Sequence, residues 1–244
     1  MTLNQNIEKL QDALNEYITP NWKNVRTEVD FMVANNQEVA ELIDSAYQDE
    51  DGKHELGWKW WKGGDSTRRT TDKIDWNSIH PKVVDNVKIE LTDLLFFTLS
   101  QKVIGSDFTG EDEQLPLSEN DWVNFLSITA HNLLQRPGAA LQIIYQLSER
   151  LNFNIYAYYI AKLTLNYIRQ LGGYGTTYKK VIDGVEDNEL LHQTIEGVTI
   201  DDMKNNFEPT ANKIMEKVYE AFNVKDERKF VKDWFKIVEE RDNG

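Results

Sequence analysis

Three observations predict an all-α protein. Apolar residues recur at steps of three and four over most of the chain, the period of a half-buried helix. No stretch carries a convincing period-two alternation of the kind that marks a strand. The breaks between periodic stretches hold helix punctuation, among them Pro20, Pro81, Pro137 and the pair Gly172-Gly173. No internal repeat interrupts this pattern. A chain of 244 residues suits one large domain and can bury a sizeable core. One all-α domain is therefore expected over 1–244, with a core of 1–195 and a C-terminal helical addition at 196–244.

Taken in order, Leu3, Ile7, Leu10, Leu14 and Ile18 predict a first helix that ends near Pro20. A second runs from about Arg26 to Tyr47, with Val29, Met32, Val39, Leu42, Ile43 and Ala46 on its buried stripe. Residues 48–80 are rich in Gly, Asp and Thr and read as a long loop, broken by the segment WKWWK at Trp58 to Lys62. Pro81 suits a helix start, and Val84, Val87, Leu91, Leu94 and Thr98 carry that helix to about Ile104. After a Gly- and acid-rich connection, Ser118 is a candidate N-cap with Asp121 three residues on. Trp122, Leu126, Thr129 and Leu133 continue that helix to Pro137. A further helix runs to Leu151, and another from Phe153 to Leu171, which the two glycines stop. Two or three amphipathic helices then finish the chain.

Composition narrows the function classes. With 40% hydrophobic, 28% charged and 11% aromatic residues the chain is globular. The absence of cysteine excludes disulfides, thiolate catalysis and thiolate metal sites together. No basic segment followed by an apolar stretch opens the sequence, and no apolar run is long enough to span a bilayer, so a cytoplasmic protein without a membrane partner is expected. A formal charge of −14 argues against nucleic acid as a partner. It leaves room for a phosphorylated small molecule where cations or a local basic patch receive it. Such a patch exists: Leu151 to Ile182 contains no Asp or Glu, yet holds Lys162, Arg169, Lys179 and Lys180.

Two acidic motifs carry the chemistry. Glu38-Val-Ala-Glu41 and Glu90-Leu-Thr-Asp93 each project two carboxylates from one side of a helix, and each borders an apolar stripe. If the helices pack through those stripes, four oxygen-only side chains converge. Like charges at contact distance stay ionised only beside cations, and hard oxygen donors favour Mg²⁺ or Mn²⁺. Acidic pairs at this spacing recur elsewhere in the chain, so the pairs taken singly also fit solvated helix faces. Lys162, Asn166 and Arg169 share a second helix face, and the loop that follows adds Tyr174, Tyr178, Lys179 and Lys180. A guanidinium fork, ammonium groups and a glycine-rich backbone suit a polyphosphate; a basic helix edge pairing with surface acids is the plainer alternative. The tryptophans of WKWWK suit either a base-stacking surface or a loop anchor.

Together these segments resemble the dimeric, all-α dUTPase family within the all-α NTP pyrophosphatase superfamily. Five stretches match in order: LQDALN (Leu10 to Asn15), EVAELIDS (Glu38 to Ser45), WKWWK, ELTD (Glu90 to Asp93) and KLTLNYIRQLGGYGTTYKKVIDGVEDN (Lys162 to Asn188). The resemblance implies a helical bundle with a long loop insertion around WKWWK, and Mg²⁺-dependent hydrolysis of dUTP to dUMP and pyrophosphate by a homodimer. It further implies that Glu38, Glu41, Glu90 and Asp93 hold the metal ions, with Glu41, or failing that Glu38, orienting or deprotonating the attacking water. Gln11 and Asn15 would meet the uracil edge, Trp60 and Trp61 flank the base, and Asn188 close the sugar side. Lys59, Lys62, Lys162, Asn166, Arg169, Tyr174 and Lys180 would lie along the phosphates.

The chain departs from that pattern twice. The stretch between Glu41 and Glu90 is longer than in relatives, and its insert after WKWWK, residues 63–80, reads as a lid or as a segment reaching a partner subunit. Relatives carry Trp-His-Phe shortly after the ExxD aspartate, where Leu95, Phe96 and Phe97 stand here, which weakens the expectation of strict uracil specificity. Three other readings compete. The same chemistry could act on dCTP or on both pyrimidines. A di-iron carboxylate oxidase needs two Glu-x-x-His motifs, of which only Glu189 to His192 fits. A helical interaction protein without activity would have no need of all four carboxylates and the basic face.

Overall fold

The computed structural model describes residues 1–46, 81–105, 136–182, 184–225 and 228–243. WKWWK, the insert after it and the helix expected from Ser118 lie outside the described residues. The described chain is helical apart from one short hairpin. Its elements are α1 (Leu3–Ile18), α2 (Trp22–Val25), α3 (Glu28–Ala46), α4 (Pro81–Ile104), α5 (Pro137–Arg150), α6 (Ile155–Leu171), β1 (Val181–Ile182), β2 (Val185–Glu186), α7 (Leu191–Thr194), α8 (Ile200–Asn205), α9 (Phe207–Ala221) and α10 (Val231–Asp242). No helix among the described residues is long and apolar enough to cross a membrane.

Two compact units result. One comprises Met1–Thr27 with Asn154–Gly244, the other Glu28–Phe153. In the first, α1 packs on α6 and α10, and α6 packs on α9. Residues 196–244 thus belong to the same unit as the N-terminal helix. Thr2 and Gln5 form a reciprocal capping box that starts α1. Ile7, Leu10 and Leu14 are buried along α1 as their spacing predicts, whereas Ile18, expected on the same stripe, is 43% exposed in the last turn. Tyr17, Tyr167 and Trp234 meet edge to face, with the Tyr17–Tyr167 and Tyr167–Trp234 centroids 4.9 and 5.0 Å apart. Asp12 ties α10 to α1: its carboxylate accepts two bonds from Arg241, at 2.6 and 3.0 Å, and others from Lys23 and the Trp22 indole. Burial alone would raise the Asp12 pKa; those donors outweigh it and hold the carboxyl below its ordinary value.

In the second unit α4 packs against α3 and α5. Buried residues occur nearly all round α4, including Val87, Ile89, Leu91, Leu94, Leu95, Phe96 and Leu99, which makes it the central helix there. Phe96, three residues after Asp93, is among them. The α3 stripe differs from the expected one. Phe31, Asn35, Val39, Leu42 and Ser45 are buried, while Val29 is 62% exposed. At about 100° per residue Val29 sits about 140° from the centre of that stripe, so the apolar pattern alone misjudged the first turn. The buried Asn35 side chain donates to the Gln101 side-chain oxygen at 3.0 Å across the α3–α4 contact.

Candidate active site

The carboxylates of the second unit follow from this helix phase. Glu38 lies about 40° from the centre of the α3 stripe and Glu41 about 100° from it. Glu38 is accordingly half-buried and Glu41 exposed. Glu38 meets Glu90 and Asp93 of α4: one oxygen from each lies within 4.8 Å of the others, and all three residues are half-buried. Glu41 stands outside this trio, its Oε1 accepting a 2.8 Å hydrogen bond from the Gln37 side chain one turn earlier. Gln37 was not singled out in the sequence, because a surface amide beside an acid carries no distinguishing pattern.

A hard divalent cation fits the trio. The donors are all oxygen, and like charges at this separation favour a shared cation. Two oxygens on one Mg²⁺ at about 2.1 Å sit at most about 4.2 Å apart. Small side-chain rotations therefore suffice for Glu38, Glu90 and Asp93 to share an ion.

The first unit holds the basic residues. Asn154 caps α6 by accepting from the Ala157 amide, and the helix carries Lys162, Asn166 and Arg169 along one face. Lys162 and Arg169 are buried, at 3% and 6% exposure. Arg169 does not stand ready as a bare fork. Its Nε and Nη2 donate to the two oxygens of Asp187 at 2.9 and 2.7 Å, and Asp187 is itself 1% exposed. Nη1 reaches Asn166 Oδ1 at 3.4 Å, while Nη2 also donates to Asn188 Oδ1 at 3.1 Å. Lys162 Nζ donates to that same Asn188 oxygen at 2.9 Å. Two cations thus converge on one amide oxygen.

Local backbone geometry makes this possible. Gly173, at φ +79°, takes the left-handed turn that ends α6. A Cβ on Gly172 would come within 2.6 Å of the Tyr178 ring, so glycine there lets Tyr178 lie close against the turn. The Tyr178 hydroxyl then donates to Asp187 Oδ2 at 3.0 Å. Burial, and after it the neighbouring carboxylate, push that hydroxyl well above its usual range, so it remains a donor. The β1–β2 hairpin pairs Val181 with Glu186, and the Asp187 amide donates to the Lys180 carbonyl at 2.8 Å. This return of the chain delivers Asp187 to Arg169. Tyr174 and Lys180 are exposed, and the Tyr174 ring lies 5.6 Å from the Arg169 guanidinium carbon and 5.8 Å from Lys180 Nζ.

Gln11 and Asn15 belong to the same unit, on α1. Gln11 is buried and its Nε2 donates to Asn15 Oδ1 at 3.0 Å. Lys59, Trp60, Trp61 and Lys62 fall outside the described residues. Sequence reasoning missed Asp187 and Tyr159, whose hydroxyl lies 3.1 Å from Gln11 Oε1. For Asp187 a signal existed: Lys162 and Arg169, seven residues apart in an acid-free stretch, call for oxygen partners from beyond it.

A protein-family model described as dUTPase matches residues 4–174, well over half of the chain. The matched range contains α1 from Asn4 onward, the acidic trio and the α6 face, and stops short of Lys180, Asp187 and Asn188. No curated protein matches the chain. The match, together with a helical fold that gathers Glu38, Glu90 and Asp93, establishes that the chain belongs to the all-α dUTPase family, enzymes that hydrolyse dUTP.

Proposed function

We propose that the protein hydrolyses dUTP to dUMP and pyrophosphate in a Mg²⁺-dependent reaction, with Mn²⁺ as a substitute, and that it works as a homodimer. The observation that carries this reading is the convergence of Glu38, Glu90 and Asp93 on two packed helices within a dUTPase-matched chain. In this reading those three residues hold the cation, with Glu41 as a further ligand. When bound, the metal supplies charge neutralisation at the triphosphate and a lowered pKa for water. Glu41 is the residue assigned to orient the attacking water and take its proton. Its exposure and its hydrogen bond from Gln37 support that role, because a carboxylate outside the trio keeps an oxygen for water.

The phosphate chain is assigned to Lys162, Asn166, Arg169, Tyr174 and Lys180, with Lys59 and Lys62 contributing from WKWWK. Lys162 and Arg169 are held at one point by Asn188, and Asp187 fixes the Arg169 plane, so these cations need little reordering to meet an anion. Asn188 in turn is assigned to the sugar, Trp60 and Trp61 to the faces of the base, and Gln11 and Asn15 to its edge. The uracil edge offers N3–H and O4, and an amide pair can both donate and accept.

The deciding experiment follows products from a panel of dNTPs by ³¹P NMR. The proposal expects dUMP and pyrophosphate from dUTP, loss of turnover with EDTA, and its return with Mg²⁺. Appearance of dUDP and orthophosphate, or turnover that persists in EDTA, overturns it. Activity on dCTP is expected about 10- to 10³-fold below dUTP in kcat/KM, the range open to a site whose hydrogen-bond pattern is only partly fixed. Preference for dCTP would replace the substrate assignment while keeping the chemistry.

A further inference from the structure

The contact between α3 and α4 carries polar side chains where apolar ones would pack as well. Asn35, Thr98 and Gln101 are all fully buried, at 0% exposure. Asn35 Nδ2 donates to Gln101 Oε1 at 3.0 Å. The other half of each amide is unmet: Asn35 Oδ1 and Gln101 Nε2 are buried without a hydrogen-bond partner among the described residues, and so is Thr98 Oγ1. Thr92 and Ser100 of the same helix turn their hydroxyls back to the Lys88 and Phe96 carbonyls, as helical hydroxyls commonly do, whereas Thr98 does not. A buried polar group left unmet lowers stability, and an apolar pair of similar shape would avoid that cost. What the amide contact contributes is therefore direction.

Apolar packing is non-directional. Buried residues occur nearly all round α4, so its apolar pattern does not choose which side meets α3. A hydrogen bond between two amides does choose, because it weakens steeply with misalignment. On α3, Asn35 stands one turn before Glu38 and on the same face. On α4, Gln101 follows Glu90 by eleven residues, about three turns, which returns it to within about 20° of the same line. The two helices run antiparallel along this seam, with the amides at its fully buried end and the half-buried carboxylates farther along. A slip of one helical turn would displace the two rows by about 5.4 Å. That exceeds the 4.8 Å within which oxygens of Glu38, Glu90 and Asp93 meet.

We propose that Asn35 and Gln101 are positioning residues for the metal site, whose amide contact fixes the rotation and register of α3 on α4 and so brings Glu38 to Glu90 and Asp93. The inference rests on the metal-holding role given above to those three carboxylates. Neither amide touches the cation or the reacting atoms; both act through the carboxylates, by selecting one arrangement of an interface that apolar packing leaves under-determined.

The test uses the full-length protein and Mn²⁺ without nucleotide, free Mn²⁺ being counted by electron paramagnetic resonance alongside denaturant melts of the metal-free protein. Asn35→Leu/Gln101→Leu removes the contact together with its two unmet groups. It is expected to melt at or above the wild-type midpoint and yet to bind Mn²⁺ at least about fivefold more weakly, in line with the loss seen when groups behind metal ligands are removed. A merely structural role would move the two readouts together. The exchanged pair, Asn35→Gln/Gln101→Asn, restores an amide contact and should recover most of the affinity. A folded apolar pair that binds Mn²⁺ less than about fivefold more weakly than wild type overturns the proposal, as does a folded exchanged pair no better than the apolar one. If the apolar pair does not fold, Gln101→Met replaces it and the same fivefold criterion decides. Glu90→Gln separates the two readings: if it binds Mn²⁺ as wild type does, the metal role of the trio falls and this inference with it, whereas failure of the amide variants alone leaves the trio standing.

Discussion

The acidic trio and the basic cluster solve opposite problems. Glu38, Glu90 and Asp93 gather charge of one sign within 4.8 Å, half-buried, on two helices held together by their apolar stripes. Lys162 and Arg169 are almost wholly buried, but oxygens of the chain itself already face them: the Asp187 carboxylate and the Asn188 amide. Burying a charge is costly unless it is paired, and the basic cluster meets that cost internally. The acidic trio sets three like charges side by side, and a bound cation would lower their repulsion. Stability and function should therefore separate differently in the two places: losing a charge from the basic side unfolds, and losing one from the acidic side inactivates.

The largest effect expected from this contrast is on stability. Asp187→Ala leaves the Arg169 guanidinium buried without its carboxylate and should cost about 3–5 kcal/mol, read as a large fall in denaturant midpoint. Arg169→Ala should cost roughly 2–4 kcal/mol in kcat/KM as well as stability. The double variant Arg169→Ala/Asp187→Ala should recover much of the stability and none of the activity. If Asp187→Ala unfolds like wild type, the pair does not hold Arg169 and the contrast fails.

Next in size is Glu41→Gln. An exposed residue outside the trio can lose its charge without disturbing the fold, so melting should be unchanged while kcat falls on the order of 10²-fold or more. Little change in kcat would pass the role of base to Glu38. The smallest effect sharpens the contrast from the acidic side. Glu90→Gln removes one of three like charges and should stabilise the metal-free protein by about 0.5–1 kcal/mol while abolishing the extra stability that Mg²⁺ confers. Thermal melts with and without Mg²⁺ measure both; a destabilised metal-free variant would show that the trio is balanced within the protein.

Tyr158 and Tyr159 show where the sequence stops informing. Nothing local to Tyr159 distinguishes it from its neighbour Tyr158, whose hydroxyl instead meets His192 Nδ1 at 2.7 Å. Which tyrosine faces α1 is decided by the phase of α6 against a helix 148 residues earlier in the chain.

What the sequence determined by itself is what depends on short-range periodicity and local chemistry. The helices α1, α3, α4, α5 and α6 were legible because an amphipathic stripe repeats every three or four residues, and the stops at Pro20 and Gly173 because proline and left-handed glycine act locally. The two acidic motifs and the Lys162–Asn166–Arg169 face were legible as spacings. The hairpin was not, since strands of two residues are too short to show a period. Tertiary structure alone decided which carboxylates meet, because the half-burial of Glu38 and the exposure of Glu41 depend on a stripe centred on Asn35 and Val39 rather than on Val29. It alone decided that Arg169 is held by Asp187, because an ion pair spanning 18 residues forms only when a turn brings the chain back. Spacing along a helix fixes which side chains share a face; the partner opposite that face is chosen by how distant segments pack.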